Sequence, residues 1–272
     1  MSSNQPNTLN RFTTFSQEIA YIEGIRKERR SRIKKYPSVS VLVATIRPDD
    51  LTSLLSQLLQ QSLSTFELRL GLHAVELTGL HKKQISALNR RKVKVFVQKF
   101  NADNTLGTIL SSLAQESSCD FIAKMDDDDY YGPEHLRDLL DAALDTGAEI
   151  VGRAMNYIYL EPLDITVRKF SRGSMQTVEH YSDWICGGTI LAKRTAAQTA
   201  GWFGSGSSAV DHYLLNGVTN NGGKIWRTFG AGYIYRRGFT PHTYVTNYSK
   251  YLNNINEKTV GIWSHQIFGV QK

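Results

Sequence analysis

The chain has 272 residues, two cysteines and a formal net charge of +7, which is enough for one large α/β domain or two small ones without disulfide or metal staples. Cys119 and Cys186 have no spacing that makes a disulfide framework or a zinc site, so a reducing, cytoplasmic setting is the default expectation. No run nears the ~20 apolar residues of a membrane span, the opening MSSNQPNTLNRF lacks the basic and apolar regions of a secretory signal, and without zinc-finger or RNA-binding aromatic signatures the basic balance points to phosphorylated small molecules or anionic lipid, with no nucleic acid expected.

Residues 1–10 are polar and read as a disordered tail. Phe12, Phe15, Ile19 and Ile22 recur at helical spacing, and the helix is expected to run on through the basic segment IRKERRSRIKK to Pro37. That basic stretch either packs on its own domain with a solvated face, or meets a protein partner or the inner face of a membrane peripherally. Val39 to Ala44 is a short β-branched apolar run, hence a buried strand. Pro48, Asp49 and Asp50 start a helix carrying Leu51, Leu54, Leu55, Leu58 and Leu59. Phe66, Leu68, Leu70 and Leu72 alternate with Glu67, Arg69 and Gly71, as Val93, Val95 and Val97 do with Lys94 and Phe96, which predicts two further strands. Residues 105–116 read as a helix, 121–125 as a strand, and the segment from Pro133 through Leu136, Leu139, Leu140 and Ala143 as a helix. Beyond that, residues 149–191 mix short strands and turns, with helices expected near 193–200 and 209–217. Alternating strands and helices call for a mostly parallel central sheet flanked by helices, preceded here by an N-terminal helical extension. Ligands bind such sheets at the carboxyl ends of the strands.

One feature stands at that place. Asp126, Asp127, Asp128 and Asp129 directly follow the strand Phe121–Met125. In extended chain Asp126 and Asp128 would share one face, and Asp127 and Asp129 the other. Four adjacent carboxylates repel, so a positive group should balance them, and hard oxygen donors suit Mg²⁺ or Mn²⁺ with a diphosphate. A calcium loop starting at Asp127 is disfavoured by Tyr131 at its fifth position, and the following Tyr130-Tyr131-Gly132-Pro133 does not support a phosphatase-type nucleophile. A plain solvated acidic turn is the bland alternative. Farther on, Trp184-Ile185-Cys186-Gly187-Gly188-Thr189 offers glycines that allow close backbone approach to a ligand. Gly204-Ser205-Gly206-Ser207-Ser208 reads as a flexible loop or lid, and Asp211 follows at a helix start.

Taken together, Ser40 to Thr45, Thr105-Leu106-Gly107, the run from Phe121 through Asp129 with its DXD pattern, and Pro133-Glu134-His135-Leu136 resemble family 2-like glycosyltransferases with the GT-A fold, across about residues 38–240. The resemblance implies a metal-dependent, inverting transfer from a nucleotide-diphosphate sugar, UDP-linked for preference, to a hydroxyl of a glycan or glycoconjugate acceptor in polysaccharide synthesis. It implies a nucleotide-sugar half at 37–130 and an acceptor half at 131–245, between the tail and basic helix read at 1–36 and a C-terminal tail at 246–272. Asp128 would be the main Mn²⁺ or Mg²⁺ ligand, with Asp126 on the ribose or the metal and His242 completing the metal shell. Thr45, Arg47, Leu106, Gly107, Lys124, Asp126 and Asp127 would form the donor site, Leu106 and Gly107 lining the base pocket. Asp211 would be the general base, Arg236 or Arg237 would face phosphate, and Trp184 and Trp202 are candidates to stack on sugar.

Two departures stand out. The family's acidic residue after the second strand has no Asp counterpart in Gly71-Leu72-His73-Ala74-Val75-Glu76, and Val210-Asp211 replaces the usual Glu-Asp pair. Two other classes stay open: a catalytically inactive sugar-binding or scaffold module, and a nucleotidyltransferase, against which the glycine-free Thr45-Ile46-Arg47-Pro48 argues.

Overall fold

A computed structural model describes residue 12 and residues 14–170, 175–239 and 247–269. Its elements are α1 (Phe15–Arg32), β1 (Val39–Thr45), α2 (Pro48–Gln60), β2 (Glu67–His73), α3 (Gly79–Arg90), β3 (Lys94–Phe100), α4 (Leu106–Gln115), β4 (Phe121–Lys124), β5 (Tyr130–Tyr131), α5 (His135–Thr146), β6 (Ile150–Arg153), β7 (Tyr157–Leu160), β8 (Ile165–Arg168), β9 (His180–Tyr181), β10 (Leu191–Lys193), α6 (Arg194–Thr199), α7 (Val210–Asn220), β11 (Ile225–Thr228), β12 (Tyr233–Arg237), α8 (Ser249–Leu252) and β13 (Glu257–Val260).

Among the described strands the main sheet runs β3-β2-β1-β4-β10-β6-β11-β9. β1 to β4 pair in parallel, and β10 enters antiparallel between β4 and β6. Successive residues of β1 bury on opposite faces. Val39, Val41 and Val43 pack with Leu51, Leu54, Leu55 and Leu58 of α2 and Leu139 and Leu140 of α5. Leu42 instead packs with Ile109 and Leu113 of α4 and Leu214 of α7. This is a three-layer α/β fold whose strands are apolar because both faces are covered. α3 has no counterpart in the predicted elements, because its buried side chains are only His81 and Leu88; a capping box between Thr78 and His81 starts it instead.

A smaller sheet, β13-β8-β7-β12-β5, leans on the C-terminal half. The segment expected to be a C-terminal tail supplies part of it: β13 pairs with β8, and Ile267 and Phe268 are buried with Ile22 of α1.

The N-terminal helix begins at a capping box, Thr14 with Gln17. Its basic residues are engaged within the chain. Arg26 meets Asp138, Arg30 meets Asp141 and Glu134, and Arg29 meets Asp145 and Glu179. The expected solvated basic face is therefore, at these three arginines, an interface with α5. The expected tail at residues 1–10 lies outside the described residues. Among the described residues no helix is long and apolar enough to cross a membrane.

Candidate active site

β1 and β4 lie side by side, so Thr45 and Lys124, their last residues, both meet the acidic run at the carboxyl end of the sheet. The acidic run leaves β4 there. It does not stay extended: the chain turns at Asp127 and Asp128. The expected two-faced alternation is consequently replaced by a sorting of each carboxylate onto its own partner.

Asp127 is buried and bound from β1, accepting from Thr45 Oγ1 at 2.6 Å and from Arg47. Asp128 also meets Arg47, its Oδ2 lying 3.0 Å from Nη1. Arg47 in turn approaches Asp50 at 3.6 Å. Asp126 Oδ1 takes a 2.7 Å bond from Lys124 Nζ, which also reaches Asp211 Oδ1 at 3.1 Å and the carbonyl of Gly187 at 3.2 Å. Asp129, fully buried, accepts from Tyr233 Oη at 2.6 Å and from the backbone N–H of Arg236 at 2.9 Å. The positive balance demanded by the sequence thus comes from Lys124 and Arg47.

Lys124 pairs with Asp126 and Asp211, and Arg47 with Asp127 and Asp128, so each cation is shared by two of these carboxylates, while Asp129 is held by Tyr233 and the Arg236 backbone. Burial, followed by repulsion from Asp128 and Asp126, holds the Asp129 carboxyl well above the ordinary carboxylate range. Burial, with Asp211 and Asp128 adding to it against the pull of Lys124, pushes Asp126 up to about 6. For Lys124, burial disfavours the charge, but Asp126 and Asp211 outweigh it and raise its pKa.

The glycines of the turn Gly187–Thr189 are required by these contacts. A Cβ on Gly187 would fall 1.9 Å from Asp211 Oδ2. One on Gly188 would lie 2.9 Å from Asp129 Oδ2, 2.9 Å from Tyr131 Oη and 3.0 Å from Asp126 Oδ2, filling a small oxygen-lined cradle. Tyr131 closes that cradle, accepting from the Asp126 N–H and donating to the Gly188 carbonyl.

Those oxygens test the expected divalent cation. No group of three His, Cys, Asp or Glu side chains is arranged to hold a metal among the described residues. Mg²⁺ and Mn²⁺ nevertheless need only one or two protein carboxylates when a diphosphate supplies the rest. The converging Asp126 and Asp129 oxygens fit that requirement, and Asp128 is only 15% exposed at the same turn.

Thr45, Arg47, Lys124, Asp126, Asp127, Asp128 and Asp211 are therefore brought together. Other expected residues are not. Gly107 is buried under backbone: its N–H donates to the Gly206 carbonyl at 2.9 Å, and a Cβ there would meet Gly204 and Gly206 at 2.9 Å. Leu106, beside it, packs against the core. The Gly/Ser loop that reads as a lid is docked on α4, with Thr105 and Ser111 donating to the carbonyls of Ser205 and Gly204. The backbone of Gly204 and Gly206 thus covers Gly107. The Arg236 guanidinium is held by Asp50 at 2.7 Å and by Glu161 at 2.9 Å, and Arg237 is buried with Nη1 on Tyr235 Oη. Trp202 is buried in the core with Arg194 over its ring, so it is not a stacking platform, and Trp184 is half-buried against the other core. His242 lies outside the described residues.

Tyr131 and Tyr233 were missed by sequence reasoning. Their partners are set by the pairing of β5 with β12, and no local pattern marks them.

No family model matches the chain, and no curated protein matches its sequence. Solved structures do match in three dimensions. One is a Staphylococcus aureus TarS fragment (residues 1–349) in complex with UDP-GlcNAc, with a TM-score of 0.60 at 14% identity over 76% of this chain. A second is the mannosyltransferase PcManGT from Pyrobaculum calidifontis with GDP-Man and Mn²⁺, at 0.55 and 13% over 85% of this chain and 67% of that one. A third is GalNAc-T7 with UDP, GalNAc and Mn²⁺, at 0.58 and 10% over 75% of this chain and 45% of that one. The match covers 62% of the TarS fragment, so this chain accounts for about three fifths of its length. At these identities the likeness defines the fold, and the fold is that of the GT-A glycosyltransferases.

Proposed function

We propose that this chain transfers a sugar from a nucleotide-diphosphate donor, a UDP-sugar for preference, to a hydroxyl acceptor with inversion, in glycan or glycoconjugate synthesis. The observation that carries the reading is the meeting of Asp211 with the acidic run across one lysine, 3.1 and 2.7 Å from its ammonium, at the carboxyl end of the sheet. Donor and acceptor chemistry need such neighbours. The acceptor hydroxyl loses a proton as it attacks, and Asp211, 30% exposed, is the carboxylate available to take it. The departing diphosphate gains charge. Mn²⁺ or Mg²⁺, held by Asp128 and Asp126, would supply the counter-charge when bound, in keeping with the Mn²⁺ in the PcManGT and GalNAc-T7 structures. Thr45, Arg47 and Asp127 form the wall beside the nucleotide.

A thermal-shift screen of UDP, GDP, CMP and dTDP, each with and without Mn²⁺, tests the reading, since a ligand of the native state raises its stability. We expect one nucleotide to shift the transition only with metal, and Asp128→Ala to remove that shift. A metal-independent shift, or one that survives in Asp128→Ala, would remove the metal assignment. No shift and no hydrolysis of nucleotide sugars would leave the inactive scaffold reading.

A further inference from the structure

Lys124 ends β4 and is 3% exposed, whereas the carboxylates of Asp126 and Asp211 that it joins are 36% and 30% exposed. An ammonium has three protons to donate. Here it donates to Asp126 Oδ1 at 2.7 Å and to the Gly187 carbonyl at 3.2 Å, and it forms an ion pair with Asp211 Oδ1 at 3.1 Å. At 3% exposure the ammonium is sealed by these protein oxygens from a donor phosphate or ribose. An aliphatic side chain would fill the same space without the cost of burying a charge.

Three separate pieces of chain converge on this one nitrogen. Asp126 belongs to the turn after β4, Gly187 to the turn before β10, and Asp211 to the first turn of α7. The far side of the Asp211 carboxylate is bounded by the Gly187 backbone, where a Cβ would fall 1.9 Å from Oδ2. Asp211 is therefore fixed from both sides: one oxygen on Lys124, the other against a glycine.

We infer that Lys124 is a positioning residue, not a donor-binding one: it acts through Asp211, holding that carboxylate at a set place beside the acidic run. This rests on the reading of Asp211 as the base. The same ammonium bonds only Oδ1 of Asp126, whose Oδ2 is the oxygen that faces the cradle at Gly188.

The test is a double-mutant cycle of Lys124→Met, Asp211→Asn and the double variant. Binding is read with UDP and Mn²⁺, turnover with hydrolysis of UDP-GlcNAc, and stability with urea midpoints. Lys124→Met should keep UDP affinity within about threefold while lowering kcat by at least ~100-fold. The double variant should be hardly slower than Asp211→Asn alone, because both remove the same function. Multiplying effects on kcat, or lost UDP affinity with kcat intact, would overturn the inference and return Lys124 to the donor site. If wild-type protein neither binds UDP nor turns over UDP-GlcNAc, the choice of donor fails separately. The stability cycle then decides: strongly non-additive urea midpoints support the Lys124–Asp211 link, and additive ones overturn it.

Discussion

At Gly187 a single missing methyl group decides whether the candidate base can stand where it does. The Asp211 carboxylate occupies the volume that any other side chain at 187 would need. Gly187→Ala should push Asp211 off Lys124 and lower turnover by ~100-fold or more, because a base out of hydrogen-bond reach cannot accept the proton. Nucleotide binding, measured calorimetrically, should change little; an alanine variant with full turnover would remove Asp211 from the proposed mechanism. At this scale the sequence was informative wherever chemistry is carried by neighbouring residues. The acidic run, the glycine pair and Asp211 can all be picked out by type and position. Tyr131, Tyr233 and the duties of Lys124 cannot, because Tyr233 lies 104 residues from the Asp129 it binds, and Lys124 serves a helix 87 residues on. The sorting of the four aspartates also escaped, since an extended-chain rule fails where the chain turns.

Among the elements, α5 ties the N-terminal helix to the site. Asp138 lies wholly buried between Arg26 and Arg153, and Arg153 donates to His135 Nδ1 at 3.1 Å. His135 packs edge-on against Tyr131, which closes the cradle. Burial, and then the charge of Arg153, hold the His135 pKa well below its ordinary value. The sign follows directly. The folded histidine stays neutral while the unfolded one takes a proton near pH 6.5, so its contribution is intact above about 6.5 and is lost as pH falls below it, by up to about 1.4 kcal/mol per unit. Urea denaturation between pH 7 and 5 should show stability falling with pH, and His135→Asn should flatten that slope. An unchanged slope in the variant would mean that His135 is protonated in the native state. Asp138 works in the same direction at lower pH. Burial raises its pKa, but Arg26 and Arg153 outweigh this and hold it below the ordinary carboxylate range, so its support is present above about pH 3.8 and fades below it.

Across the whole molecule, the main sheet with its helices carries the acidic run, and α1 with the C-terminal segment braces the small sheet. Glu18 of α1 binds the buried Arg168 at 2.8 Å and Tyr157 at 2.6 Å, and Ile22 packs with Ile267 and Phe268. Deleting residues 1–33 would open that apolar cluster and take Glu18 and the carbonyls of Phe12 and Thr14 from Arg168, leaving Glu257. We expect a loss of at least about 3 kcal/mol in urea denaturation, the range for breaking a buried ion pair, or an insoluble product. A truncated protein of wild-type stability would show that α1 is dispensable for folding, and would reopen a partner role for its arginines.

The sequence by itself determined the layered α/β class, the strand that delivers the acidic run, and the residue types from which the site is made. These follow from local periodicity and from the rule that parallel strands present ligands at their carboxyl ends. Tertiary structure alone decided which charge neutralises which. It turned a basic helix toward α5, sealed Gly107 beneath the Gly/Ser loop, gave Arg236 to Asp50 and Glu161, and set Lys124 between Asp126 and Asp211. The reason is physical: backbone preference is written within a few residues, whereas a side chain's charge is satisfied by whatever the folded chain brings within about 4 Å.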